Sequence, residues 1–149
     1  MVSHQSSWPV RVYYEDTDSG GVVYHSNYLN FMERARTEWL RSLKINQQIL
    51  KEEENLLFVV HQINIKFIKP AVFNDLIEVE TRLKQLTSVR VQLEQQIKRN
   101  MDLLITASVE VVGVNARTLK PVRIPEQIDR KSTRLNSSHP SRSRMPASA

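Results

Sequence analysis

The period of the apolar residues changes once along this chain, and that change narrows the possible folds more than any other feature. Between residues 27 and 43, Tyr28, Phe31 or Met32, Ala35, Trp39 and Leu43 recur at intervals of three and four. Glu33, Arg34, Arg36, Thr37 and Arg41 fill the other side. That spacing predicts an amphipathic helix of about four turns, with Ser26 or Asn27 placed to cap it. From residue 59 the period is two. Val59, Ile63, Ile65 and Phe67 alternate with Gln62, Asn64 and Lys66, and three further alternating runs follow at residues 77–83, 89–98 and 103–111. Such alternation predicts strands with one buried face, and the turns between them are too short for anything but antiparallel pairing. Residues 8–14 (WPVRVYY) are rich in β-branched and aromatic side chains and read as a first strand. A weaker helix is expected over residues 47–54. The predicted class is α+β, an antiparallel sheet wrapped around one long helix.

Composition sets the limits of function. A chain of 149 residues suggests one domain. Cysteine is absent, which excludes disulfides, thiolate nucleophiles and cysteine zinc sites. No window resembles a signal peptide or a transmembrane segment, so a cytoplasmic location is expected. The formal net charge of +5 points toward nucleic acid only until it is mapped. Residues 129–149 hold five basic side chains against one acidic, while residues 1–128 carry 16 basic and 15 acidic. The tail has no apolar periodicity. It reads either as a basic nucleic-acid-binding tail or, as its DRKSTRLNSSH run suggests, as a translated library adapter joined to a truncated frame. We favour the second and assign the domain to residues 1–128, with no nucleic-acid partner.

Between the first strand and the helix lies EDTDSGGVVYH, residues 15–25. Three carboxylates within four positions repel one another, so the crowding needs a reason. Calcium does not supply it: Gly20 stands at the fifth position of the loop and Asn27 at the twelfth, where a bidentate glutamate is required. With no HxxxH or HExxH spacing, zinc is equally unsupported, and no metal is expected. Neither GxGxxG nor GxxxxGK[ST] occurs. Two readings survive. Asp16 and Asp18 either shape the turn, or one of them works beside a helix N-terminus, whose unpaired N–H groups can hold a developing oxyanion.

The run YYEDTDSGGVVYHSNYLNFMERAR resembles the signature of the YbgC-type acyl-CoA thioesterases, relatives of the 4-hydroxybenzoyl-CoA thioesterases with the hotdog fold. The matching positions include Asp18, Gly21, Tyr24, His25, Asn27, Tyr28, Glu33 and Arg36, and similarity extends over about residues 8–126. The resemblance implies hydrolysis of an acyl-CoA to a carboxylic acid and coenzyme A without a cofactor. It makes Asp18 the catalytic carboxylate, as nucleophile or general base, and His25 a second catalytic residue near a backbone N–H that polarises the carbonyl. Gly21 and Tyr24 contact substrate. Ser88 and Arg90 stand where related enzymes hold coenzyme A phosphates, although Arg82, Lys84 and Lys66 would serve as well. The family also implies a homodimer or homotetramer with shared sites, acyl carrier protein as a further partner, and a link to the Tol–Pal envelope system. Two rival functions fit the same fold: a hydroxyacyl dehydratase, which lacks a use for Asp18, and a non-enzymatic module that binds acyl carrier protein or envelope-associated partners. Outside the site, His61 is expected to pack on the apolar face of its strand, Trp39 to lie in the core, and Glu33 to pair with Arg36 or Thr37. Glu15 and Asp16 are expected to be structural.

Overall fold

A computed structural model describes residues 5–125. The expectations for residues 129–149 lie outside the described residues. In chain order the elements are β1 (Gln5–Arg11), a 3-10 turn (Tyr14–Asp16), α1 (His25–Ser42), α2 (Gln47–Glu54), β2 (Leu56–Phe67), β3 (Leu76–Leu86), β4 (Arg90–Arg99) and β5 (Asp102–Asn115). The strands form one antiparallel sheet in the order β1-β3-β4-β5-β2. Helix α1 lies along one face of it, which is the α+β arrangement that the change of period predicts. Among the described residues no helix is long and apolar enough to cross a membrane.

Alternation decides which face is buried. In β3 the inward positions are Ile77, Val79, Thr81 and Leu83, and in β4 they are Val91, Leu93, Gln95 and Ile97. They meet Tyr28, Phe31, Met32, Ala35 and Trp39 of α1. The core divides in two. One cluster gathers Val12, Val23, Tyr28, Phe31, Ile77, Ile97 and Ile105, and the other gathers Trp39, Leu43, Leu50, Leu83, Leu93 and Val109. Between them sit Thr81 and Gln95, both fully buried. Helix α2 starts where Asn46 Oδ1 accepts the N–H groups of Gln48 and Ile49, and ends at Asn55 in the left-handed conformation.

Four local expectations need correction. The first strand ends at Arg11, because Asp16 accepts the Tyr13 N–H at 2.8 Å and closes a turn that leaves Tyr13 and Tyr14 exposed. Neither Ser26 nor Asn27 caps α1; the cap position is Tyr24, in extended backbone with no side-chain cap bond. His61 does not pack in the core. The register of β2 shifts between Val60 and Gln62, and this bulge turns His61 outward, 55% exposed, with Nε2 3.8 Å from Glu110 Oε2. Arg36 does not stay on the polar side of α1 but reaches inward to Gln95. Trp39 is buried as expected, and the Thr37 hydroxyl donates to Glu33 at 3.1 Å.

Candidate active site

The loop between β1 and α1 is fastened at both ends. The Val12 N–H donates to Asp75 O (2.9 Å) and the Val23 N–H to Ala71 O (2.9 Å), so the loop lies against the segment between β2 and β3. That segment is itself held, since Arg99 Nη1 meets Asp75 Oδ2 at 2.6 Å and the Val72 N–H donates to the same oxygen at 2.9 Å. Inside this frame the two aspartates are used differently.

Asp16 is saturated. Oδ1 accepts from Asn27 Nδ2 (2.8 Å), Oδ2 accepts the Tyr13 N–H (2.8 Å), and its carbonyl accepts the Tyr24 N–H (2.9 Å). It ties the loop to the first turn of α1, which accounts for one carboxylate of the crowded stretch. Asp18 is exposed, and its carboxylate accepts only the Gly20 N–H, at Oδ1 and 2.8 Å. No group among the described residues bonds its Oδ2. Its backbone is fixed, with Asp18 N–H to Val22 O at 2.8 Å and Gly21 N–H to Asp18 O at 3.0 Å. The glycines have separate reasons. Gly21 has φ +84, a left-handed conformation that a side chain strains. A Cβ at Gly20 would stand 3.2 Å from Asp18 Oδ1.

His25 is the first residue of α1 and is exposed. Its ring lies 4.7 Å from that of Tyr24 and edge-on to Phe67 at 6.4 Å, centroid to centroid. Phe67 also meets Tyr28 at 5.8 Å. The Tyr28 hydroxyl accepts the Ala71 N–H at 2.9 Å, and burial raises the phenol's pKa against the lowering effect of that bond. At the helix start the Asn27 N–H bonds Tyr24 O at 2.8 Å, whereas those of His25 and Ser26 have no partner among the described residues. Asp18, Gly21, Tyr24 and His25 therefore share one end of the fold. An ionisable oxygen without a bond and two N–H donors without a bond are the components of an acyl-transfer site.

Ser88 and Arg90 lie elsewhere. Ser88 lies in the turn between β3 and β4 and Arg90 opens β4, where the Thr87 N–H donates to Arg90 O at 2.9 Å and Ser88 O accepts the Ile124 N–H at 2.7 Å. In the register of the sheet, Arg11 pairs with Leu76 at one end while Arg90 pairs with Val112 at the other. The length of β4, about 30 Å, separates them from Asp18 within one chain. Arg90 Nη1 is engaged by Glu110 Oε2 at 3.2 Å, and Arg82 and Lys84 share Glu94. Near that far end, a cavity of about 140 Å³ opens between α1 and the sheet. Trp39, Leu40, Phe58, Val91 and Val111 wall it, with Glu33 and Arg36 at its polar side.

Sequence reasoning missed Gln95 and the partners it joins. Its neighbours Val91, Leu93 and Ile97 set an apolar alternation that hid one polar side chain on the inner face. A glutamine in register with buried positions was the available signal.

Comparison with known proteins agrees with this fold. Residues 12–131 match the model of the thioesterase-like superfamily. The chain is 46% identical over 128 residues to the acyl-CoA thioesterase YbgC of Haemophilus influenzae, covering 86% of this chain and 94% of that protein. It is 42% identical over 122 residues to the acyl-CoA thioester hydrolase YbgC of Escherichia coli, covering 81% and 90%. The crystal structure of a probable thioesterase from Bartonella henselae superposes with a TM-score of 0.78 at 40% identity, over 82% of this chain and 100% of that one. A fold, a loop and an extent of similarity that agree over the whole described domain place the chain in the thioesterase-like superfamily, among the YbgC acyl-CoA thioesterases.

Proposed function

We propose that this enzyme hydrolyses acyl-CoA thioesters to a free carboxylate and coenzyme A, with Asp18 as the reacting carboxylate. The observation that carries the reading is the contrast within the loop: Asp16 commits its carboxylate to structure, and Asp18 keeps an oxygen unbonded beside the first turn of α1. The N–H groups of His25 and Ser26, at the positive end of the helix dipole, polarise the thioester carbonyl. Two routes then balance. Asp18 attacks the carbonyl carbon, the C–S bond breaks to release the thiolate, and water cleaves the resulting anhydride. Alternatively Asp18 takes a proton from water, and the hydroxide so formed displaces the thiolate. His25, at the mouth of this site, orients substrate or its departing sulfur.

Two copies joined through β2 complete the site in this reading. The sheet has two edges, and β1 carries Pro9, which lacks a ladder donor. The other edge, β2, presents half-exposed Val60 and Phe67. Antiparallel pairing of β2 with its copy about a two-fold axis reverses the partner's sheet. The far end of the partner, with its Ser88–Arg90 turn and apolar cavity, then comes beside this chain's Asp18 loop. Coenzyme A phosphates would meet that turn and the acyl chain that cavity.

Hydrolysis of acyl-CoA from short to long chain, followed by release of free thiol, tests the activity. Activity on some chain length that disappears in Asp18→Asn supports the reading. Full activity in Asp18→Asn, or none in the parent on any thioester, overturns it.

A further inference from the structure

Thr81 and Gln95 are fully buried polar residues, and they bond each other within the seam between the two core clusters. Gln95 sits at the middle of β4, itself the central strand. Its Oε1 accepts from Arg36 Nη1 at 3.1 Å, and its Nε2 donates to Thr81 Oγ1 at 2.9 Å and to Met32 O at 3.0 Å. The amide orientation follows from chemistry, because a guanidinium has no acceptor and so must face the oxygen. Every polar atom of the Gln95 side chain has a partner, and two of the three partners are on α1.

Apolar contact between a helix and a sheet is non-directional and tolerates small axial slips. A bond to one chosen carbonyl does not, since successive carbonyls lie about 1.5 Å apart along the axis. Asn27 to Asp16 and the Ala71 N–H to Tyr28 also bond α1 side chains to other parts of the chain, and both go to loops. The Gln95 bonds instead tie the helix to the rigid centre of the sheet. Met32 lies seven residues from His25, about 10 Å along a stiff rod, so a slip at Met32 arrives undiminished at the N–H groups of His25 and Ser26. Burial lowers the pKa of Arg36, with Glu33 opposing, which accords with a guanidinium drawn into the seam by this acceptor.

We propose that Gln95 is a positioning residue of the reaction: through Met32 O and Arg36 it sets the axial position of α1, and hence where the first-turn N–H groups stand relative to Asp18. This rests on the thioesterase reading above. A misplacement of about 1 Å is enough to cost up to a hundredfold in rate.

The test compares Gln95→Met, Gln95→Glu, Thr81→Val and, as a destabilised control in the far cluster, Leu50→Ala. For each, kcat and KM are measured on the acyl-CoA that the parent hydrolyses best, with melting temperature and the amide NMR shifts of His25 and Ser26. Gln95→Met keeps the volume and loses all three bonds. Its kcat should fall about ten- to a hundredfold with KM within about threefold, and both amides should shift. Gln95→Glu keeps the Arg36 contact and accepts from Thr81 but cannot donate to Met32 O, so it should lose kcat as well. It also provides a second variant should the first not fold. Thr81→Val and Leu50→Ala should keep kcat, even where Leu50→Ala melts as low as Gln95→Met. The proposal is overturned if either Gln95 variant keeps parental kcat, or if kcat in all four follows melting temperature alone. A parent without thioesterase activity would sink the functional reading separately, and unmoved His25 and Ser26 amides would still reject the positioning role.

Discussion

The two ends of this molecule are built from the same helix and the same sheet, yet they use their charged side chains differently. At the far end several charged and polar side chains are engaged. Arg90 is held by Glu110, Arg82 and Lys84 by Glu94, Asn46 caps α2, and Asn115 Oδ1 accepts the N–H groups of Arg117 and Thr118. At the near end Asp16 does the same kind of work, and Asp18 does not. We place the chemistry where the hydrogen bonding stops short of completion, two residues from the saturated carboxylate of Asp16.

The most severe way to break the comparison is to exchange the aspartates' fates. Asp18→Asn keeps shape and removes charge, and hydrolysis should fall by about a thousandfold or more, roughly 4 kcal/mol of transition-state stabilisation. Steady-state kinetics with a thiol-release assay would show it, and a dead Asp16→Asn beside an active Asp18→Asn would assign the chemistry to the wrong carboxylate.

At the far end, Leu43→Ala removes a 2% exposed side chain from the second cluster. It should cost about 3 kcal/mol in urea unfolding while leaving kcat of the folded protein unchanged. A parallel fall in kcat would mean that the ends are not separable. Asp16→Ala comes next. Losing the bonds to Asn27 and Tyr13 should cost about 1–2 kcal/mol of stability and reduce turnover partially, because the loop would no longer be tied to α1.

A finer probe is Gly20→Ala, whose Cβ would press on Asp18 Oδ1 from 3.2 Å. Stability should change by under about 1 kcal/mol, yet kcat should drop several-fold, since a shift of the carboxylate by tenths of an ångström matters to chemistry alone. The smallest effect concerns Tyr28. Burial raises its phenol pKa, so the folded state binds that proton more tightly than the unfolded one. Stability is then fully present below the ordinary phenol value of about 10 and declines as pH rises through it. Melting scans between neutral pH and pH 11 should show that decline in the parent and a weaker one in Tyr28→Phe.

Much of the fold was legible in the residues. The spacing of Tyr28, Ala35, Trp39 and Leu43 identified α1, and the alternations around Ile63, Val79, Leu93 and Val109 identified the strands, because periodicity follows directly from backbone geometry. The loop motif identified Asp18 and His25 as candidates. Position in the sheet was not legible. Ser88 and Arg90 belong to the end of the fold opposite Asp18, a fact set by strand register and not by sequence separation. His61 matched its alternation and was turned out by a bulge, and Gln95 sat unnoticed within an apolar run.

The sequence by itself determined the elements, the buried faces and which short stretch could carry chemistry, since each depends on neighbours within a few residues. Only the tertiary structure decided which carboxylate kept an oxygen without a bond. Asp16 and Asp18 are the same side chain two residues apart, and their difference comes from Asn27, eleven residues on from Asp16, whose side-chain amide reaches Asp16 and not Asp18. A hydrogen bond depends on distance and angle in space, and those are fixed only once the helix has been laid on the sheet.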